Sequence, residues 1–392
     1  MDFPKMKMQD PDHINIPSHS GLKIGFDAKR AFYNRSGLGN YSRNLINALS
    51  ANYPENSYYL FTPAGKSRVG WKPGNNCKIV EPANMLFRLS GSLWRSRFIT
   101  SDIRKSGISI YHGLSHELPS GIEKTNVRSV VTIHDIIFLK FPGFYKKVDV
   151  EIYRRKLIYA CRVADSVVAI SNQTAKDLTE MLNIDPAKIT VIYQGYNSSF
   201  LRKLDENSIQ NLRKKYNLPE KFLLSVGTIE ERKNLLTLVK ALHISGIEMP
   251  LVVIGRKVEP YFSGISGYIE QHRMRNITFL NTIENEDLPG FYQAAECFIY
   301  PSVYEGFGIP IIEALVSAVP VITSQGGCFS EAGGPGSIYT DPNDPEMLGR
   351  QIINVISNAA LRKKMILDGL EYVSRFKNRN ISENYMNLYY KL

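Results

Sequence analysis

Short apolar runs rich in β-branched residues recur along the chain, separated by longer segments with apolar residues at helical spacing. In the first half the runs are 22–27 (LKIGFD), 58–62 (YYLFT), 108–112 (ISIYH), 128–135 (RSVVTIHD), 166–171 (SVVAIS) and 189–195 (ITVIYQG). In the second half they are 221–227 (KFLLSVG), 250–255 (PLVVIG), 277–281 (ITFLN), 297–302 (CFIYPS) and 320–324 (PVITS). Continuous apolarity marks strands buried on both faces. Amphipathic stretches such as 40–50 and 150–164 lie between the runs. The expected class is therefore α/β: two Rossmann-like domains, each a parallel sheet with right-handed crossovers, facing a central cleft. The polar stretch 197–220 has no strand pattern and separates the two copies. After 345 the chain reads as consecutive helices. In open sheets of this kind ligands bind beyond the carboxyl ends of the strands, so chemistry is to be sought just after each run.

Length agrees, since 392 residues exceed one ordinary core. No apolar run approaches a membrane span. Residues 1–20 lack the apolar centre of a secretory signal and are expected to form a disordered tail. The cysteines (Cys77, Cys161, Cys297 and Cys328) lie far apart without metal-ligand spacing, as in a reduced cytoplasmic protein. The net charge of +11 is unevenly spread. Residues 21–200 hold 25 Lys/Arg against 13 Asp/Glu, whereas 201–392 hold 21 of each. The first half is expected to meet something anionic. Segment 85–106 combines Arg88, Arg95, Arg97, Arg104 and Lys105 with Phe87, Leu89, Leu93, Trp94 and Phe98, and 144–162 adds a second basic cluster. That pattern suits either an anionic membrane face or a helix packed on its own sheet. No nucleic-acid-binding motif accompanies the charge.

Several positions at strand ends carry candidate chemistry. Arg232 and Lys233, after the run ending at Gly227, stand where a helix opens at about Asn234. Two cations at a helix start suit a diphosphate, or simply a solvated basic turn. Gly37 and Gly39 precede a helix and form either a phosphate-cradling loop or a plain one; the third glycine of a dinucleotide fingerprint is missing. His134 ends a strand with Asp135 beside it. It reads as a ligand contact or base oriented by that carboxylate, or as a satisfied core histidine. His112 and His116 would suit zinc on a helix, but Pro119 argues for a loop, so no metal site is expected. In 301–324 (PSVYEGFGIPIIEALVSAVPVITS), Glu305 lies on a loop and Glu313 early in a helix opened by Pro310. Both carboxylates are placed to accept hydroxyls of one ligand, with the amides of Gly306, Phe307, Gly308 and Ile309 holding anionic oxygens between them.

With Glu305, seven intervening residues and Glu313 in that segment, joined by GTIEERKNL, VVIG, LPGFYQAAECFIYPS and DPNDPEML, the sequence resembles the retaining glycosyltransferases of family 4, which have the GT-B fold. GLGNYSRNL, VVTIHDI and AISNQTAKDL extend the resemblance through the first half. It implies an acceptor-side domain at 21–200, a nucleotide-sugar domain at 201–376, and residues 377–392 crossing back to the first. It further implies a nucleoside-diphosphate sugar donor, a saccharide or lipid-linked saccharide acceptor, and metal-independent transfer of a hexose such as mannose without a cofactor. Arg232 and Lys233 would neutralise the leaving diphosphate, Glu305 would bind the donor sugar and Glu313 the ribose. Gly227 would belong to the donor site, Gly39 would approach the phosphates, and His134 would line the sugar site. Where a proline often precedes the Arg-Lys pair, Glu231 stands here, putting a negative charge beside the cations. The Asp-x-Asp pair that holds a metal in the other large transferase fold occurs only as Asp10-Pro11-Asp12, in the tail. A nucleotide-sugar 2-epimerase and a non-catalytic nucleotide-sugar binder are the alternatives on this fold. A cytoplasmic location is expected, with peripheral association at the inner face of the cytoplasmic membrane as its membrane-bound form.

Overall fold

The computed structural model describes residues 21–63, 67–83, 87 and 91–392. The expected tail with Asp10 and Asp12, and Arg88 and Leu89 of the basic segment, lie outside the described residues. The first sheet contains β1 (Lys23–Asp27), β2 (Ser57–Phe61), β3 (Cys77–Val80), β4 (Ile110–Gly113), β5 (Arg128–Ile133), β6 (Ser166–Ala169) and β7 (Ile189–Val191). The second contains β8 (Leu223–Val226), β9 (Leu251–Ile254), β10 (Ile277–Leu280), β11 (Cys297–Tyr300), β12 (Val321–Ser324) and β13 (Ile338–Thr340). The strand orders are β3-β2-β1-β4-β5-β6-β7 and β10-β9-β8-β11-β12-β13, and the pairings are parallel.

Every expected strand is present, and β3 and β13 are additions. Both are short strands at sheet edges, and β3 exposes Lys78 and Ile79, so neither shows the continuous apolarity of a central strand. Both sheets have the doubly wound order of nucleotide-binding domains. Each reverses direction at one point, between β1 and β4 in the first and between β8 and β11 in the second. At these points the loops diverge and leave a crevice.

Helix Gly37–Asn52 starts two residues before its sister glycine, so the expected glycine loop runs only to Ser36. Leu45, Ile46 and Leu49 of this helix pack into the core of the first sheet. The same core takes Ile381, Tyr385, Met386 and Tyr389 from helix Asn378–Tyr390 at the end of the chain. Tyr385 Oη lies 2.6 Å from Tyr41 Oη, and Tyr389 Oη lies 2.6 Å from Nδ1 of His112. The polar stretch 197–220 contains helix Glu206–Tyr216, capped by the Asp205 side chain, which accepts the Ser208 N–H. Its Leu212 packs into the core of the second sheet.

Candidate active site

The second crevice is formed by the chain after β8 and after β11. Between Gly227 and Asn234 the backbone makes a single turn, Glu231–Lys233, which turns both cations toward the loop 301–308. There the Glu305 carboxylate receives them: Arg232 Nη1 lies 2.7 Å and Lys233 Nζ 2.6 Å from its Oε1. The Tyr300 hydroxyl, at the end of β11, accepts from Lys233 Nζ at 2.6 Å and donates to the same Oε1 at 3.1 Å. Burial alone would raise the Glu305 carboxyl, but Lys233 and Arg232 outweigh it and hold it at about 2. The carboxylate is thus ionised at any working pH. These contacts converge on Oε1. Gly227, with a φ of +150°, sets its Cα beside the Lys233 side chain.

The loop bearing Glu305 is held from the other domain. Ser171 Oγ, after β6, donates to the Gly306 carbonyl at 2.6 Å, and the Tyr304 hydroxyl donates to Asp177. A Cβ on Gly306 would stand 1.9 Å from the His134 carbonyl oxygen, so only glycine permits this approach of the two domains. Phe307 stacks on Tyr193 of the first domain, with ring centroids 5.3 Å apart and planes at 11°. Its side chain is core. Gly308, at a φ of +127°, leads directly into helix Ile309–Val316, where Pro310 occupies the first turn.

Glu313 lies in the middle of that helix, and its Oε2 accepts from the Tyr292 hydroxyl at 3.1 Å. Among the described residues no cation pairs with it. Burial pushes its carboxyl up to about 8, which the Tyr292 hydrogen bond offsets only in part. Together with Ile309 it lines a cavity of about 140 Å³ between the domains, faced from the other side by Gly37, Asn40, Tyr41 and Gln194. Gly37, not Gly39, is therefore the glycine that faces the second domain. Gly39 is buried, and a Cβ there would meet the Asn34 carbonyl oxygen at 2.0 Å.

His134 corrects the expectation of a base oriented by Asp135. Its Nε2–H donates to the Leu114 carbonyl at 2.9 Å, and Nδ1 accepts from the Gln194 amide at 2.9 Å. Burial, with the neighbouring His116, pushes it down to about 3, so it is neutral with both nitrogens engaged. Asp135 instead caps the next turn, accepting the Ile137 N–H at 3.0 Å. His116 Nε2 accepts the His134 N–H at 2.7 Å, and His112 bonds Tyr389 and Thr132, so the pair does not converge as metal ligands. Nor is Glu231 the carboxylate beside the cations. Glu231 is exposed, and Glu230 Oε1 accepts from Arg232 Nη2 at 2.6 Å.

Tyr300, Glu230 and Gln194 were not singled out in the sequence. Tyr300 is hidden inside an apolar strand run, and its last-in-strand position was the available signal. Gln194 acts through a partner sixty residues away, which spacing does not reveal. In the basic segment, Trp94 is buried with its indole N–H on Asp102, and Arg95 turns inward to pair with Asp27. These two residues are core and cleft, whereas Leu93 and Phe98 are exposed.

Residues 35–200 match the model of Glycosyltransferase Family 4, and residues 208–370 that of Glycosyl transferases group 1. The O-antigen chain mannosyltransferase B of Escherichia coli is 26% identical over 386 residues, covering 94% of this chain and 99% of the relative. The O-antigen chain mannosyltransferase RfbU of Salmonella typhimurium is 27% identical over 227 residues, 57% of this chain and 60% of the relative. Among solved structures, sucrose-phosphate synthase from Thermosynechococcus elongatus superposes with a TM-score of 0.74 at 22% identity, over 94% of this chain and 98% of that one. Anabaena HepE in complex with UDP and glucose gives 0.71 at 17% identity, over 95% and 100%. Both are GT-B structures and share the two-sheet architecture described above. With the two family models together spanning most of residues 35–370, the chain belongs to the family 4, group 1 glycosyltransferases.

Proposed function

We propose that the protein transfers a hexose, mannose in the reading its relatives favour, from a nucleoside-diphosphate sugar to a saccharide or lipid-linked saccharide with retention of configuration. The observation that carries this is the Glu305 carboxylate beyond the end of β11, charged and held through Oε1 by two cations. Arg232 and Lys233 receive the diphosphate; the charge that develops on it as the sugar leaves is then stabilised by cations already in place. The Glu305 Oε2 accepts sugar hydroxyls, and Glu313 accepts the ribose hydroxyls. The amides of Gly306 to Ile309 and the helix start at Gly37 border the phosphates. In the transfer the bond from the anomeric carbon to the diphosphate breaks, the acceptor oxygen bonds to that carbon, and its proton passes to the departing phosphate oxygen. Two cations supply the charge that a metal would otherwise bring, so activity is expected to survive chelation by EDTA. His134, neutral and fully bonded, positions the loop after β5 rather than moving a proton.

A thermal-shift panel of GDP, UDP, ADP and their sugars tests the donor. The matching nucleotide raises the melting temperature strongly, and no shift with any of them overturns the reading.

The exposed face near helix Lys147–Val163 fits peripheral docking at an anionic membrane surface. Phe144, Tyr145, Val148 and Ile152 are exposed there beside Lys146 and Lys147. Among the described residues no helix is long and apolar enough to cross a membrane.

A further inference from the structure

The first sheet has its own reversal point, and a site is expected there on the same topological grounds as in the second. The loops leaving β1 and β4 enclose a cavity of about 620 Å³. Its walls carry Lys29, Arg30, Arg35, Arg95 and Lys156, and Glu117 is the carboxylate among them. Arg95 is neutralised by Asp27 behind it, and Glu117 is shared by Arg95 at 3.5 Å and Lys156 at 3.2 Å. Among the described residues no carboxylate forms an ion pair with Lys29, Arg30 or Arg35. Burial first, and then the charges of Arg95 and Arg30, lower the Lys29 ammonium, with Asp27 and Glu117 opposing them in part. The cavity reaches the domain boundary through one loop: His116, between the lining residues Ser115 and Glu117, accepts the His134 N–H at 2.7 Å, and the His134 carbonyl abuts Gly306 of the second domain.

We propose that this cavity is the acceptor subsite and binds a phosphate or diphosphate group carried by the acceptor. The inference rests on the transferase reading of the cleft and names the acceptor class for it. A loop with three unpaired cations, backed by an internally neutralised arginine, matches the charge of one phosphate ester or diphosphate. The donor's own diphosphate has its cations on the other domain, so the two phosphate sites are separate. Two sources share this chemistry. One is a lipid diphosphate bearing the growing saccharide; Lys156 lies on the same helix as exposed Val148 and Ile152, so cavity and apolar patch share an element. The other is a soluble sugar phosphate.

The test uses the full chain and three probes: farnesyl diphosphate, mannose 6-phosphate and mannose. Each is titrated calorimetrically with and without the nucleoside diphosphates of the thermal-shift panel. At least one phosphate probe binds and mannose does not; farnesyl diphosphate alone identifies the lipid source, mannose 6-phosphate alone the soluble one. The double variant Lys29→Ala/Arg35→Ala weakens that binding by about tenfold or more, as loss of charge-assisted bonds requires. The charge-keeping Lys29→Arg/Arg35→Lys retains most of it. Failure of both phosphate probes to bind, unchanged affinity in the alanine variant, or displacement of the probe by a nucleoside diphosphate overturns the proposal. A protein that binds the probe through these residues yet responds to no nucleotide keeps the subsite and discards the donor reading.

Discussion

The two glutamates of the 301–324 segment are opposite solutions to burial. Glu305 is surrounded by cations and sits far below the usual carboxylate range, while Glu313 has one phenol and sits far above it. Their pH signatures therefore have opposite sign. A depressed carboxyl contributes stability in full above its unfolded value of 4.5 and loses it as pH falls toward 2. A raised one contributes below 4.5 and loses that contribution as pH climbs to about 8. Glu313→Gln should accordingly gain melting temperature over the wild type progressively between pH 5 and 8, with weaker nucleotide binding; a pH-independent gap in the melts would refute the assignment. Glu305→Gln should lower transfer by about a hundredfold or more while affinity for the free nucleoside diphosphate holds or tightens, since the cations lose a competing carboxylate. Loss of nucleotide affinity in that variant would contradict the role given to Oε2. Both glutamates were legible in the sequence because acids are rare in apolar surroundings. Which of them would be charged was not, since that depends on Lys233, Arg232 and Tyr300 arriving from other segments.

At the level of elements, the loop 304–308 owes its position to the first domain as much as to its own. Ser171, Asp177 and the His134 carbonyl hold it from the first domain, while Arg232 holds it from the second, its guanidinium donating to the Tyr304 carbonyl at 2.7 Å and its carbonyl accepting the Val303 N–H at 2.9 Å. Gly306→Ala puts a methyl into the His134 carbonyl and must part the domains locally. Transfer is expected to fall by about a hundredfold, the cost typical of a misplacement on the order of 1 Å, while nucleotide affinity, which we assign to the second domain, is expected to stay within about threefold. Wild-type turnover in this variant would show that closure at this point is not needed. The strand runs were readable because buried parallel strands are continuously apolar. The strands β3 and β13 were not, because their short runs mix polar residues with apolar ones: Lys78 breaks CKIV, and Ile338–Thr340 is three residues ending in Thr340. The first turn of helix Gly37–Asn52 looks like loop in the sequence since glycines normally weaken a helix, whereas Gly39 serves a close contact with Asn34.

For the whole molecule, the charge asymmetry acquires two addresses: the cavity at the β1–β4 reversal and the exposed face around Val148. Val148 is 70% exposed, and Phe144, Tyr145 and Ile152 lie close to it in sequence with Lys146 and Lys147 between them. Co-sedimentation with phosphatidylglycerol vesicles at low salt is expected, and Val148→Glu/Ile152→Glu should reduce it about tenfold. Equal binding by the variant, or none by the wild type, would remove this face from the account. By itself the sequence determined the fold class, the two-domain plan and the acids and cations of the second crevice, because burial pattern and strand-end position are local properties. Only the tertiary structure decided that His134 is a bonded neutral ring, that Glu230 rather than Glu231 meets Arg232, and that Arg95 points inward. It also brought Lys29, Arg35 and Lys156 around one cavity. Each of these depends on partners far apart in the chain, and long-range contacts are set by how the sheets and helices pack.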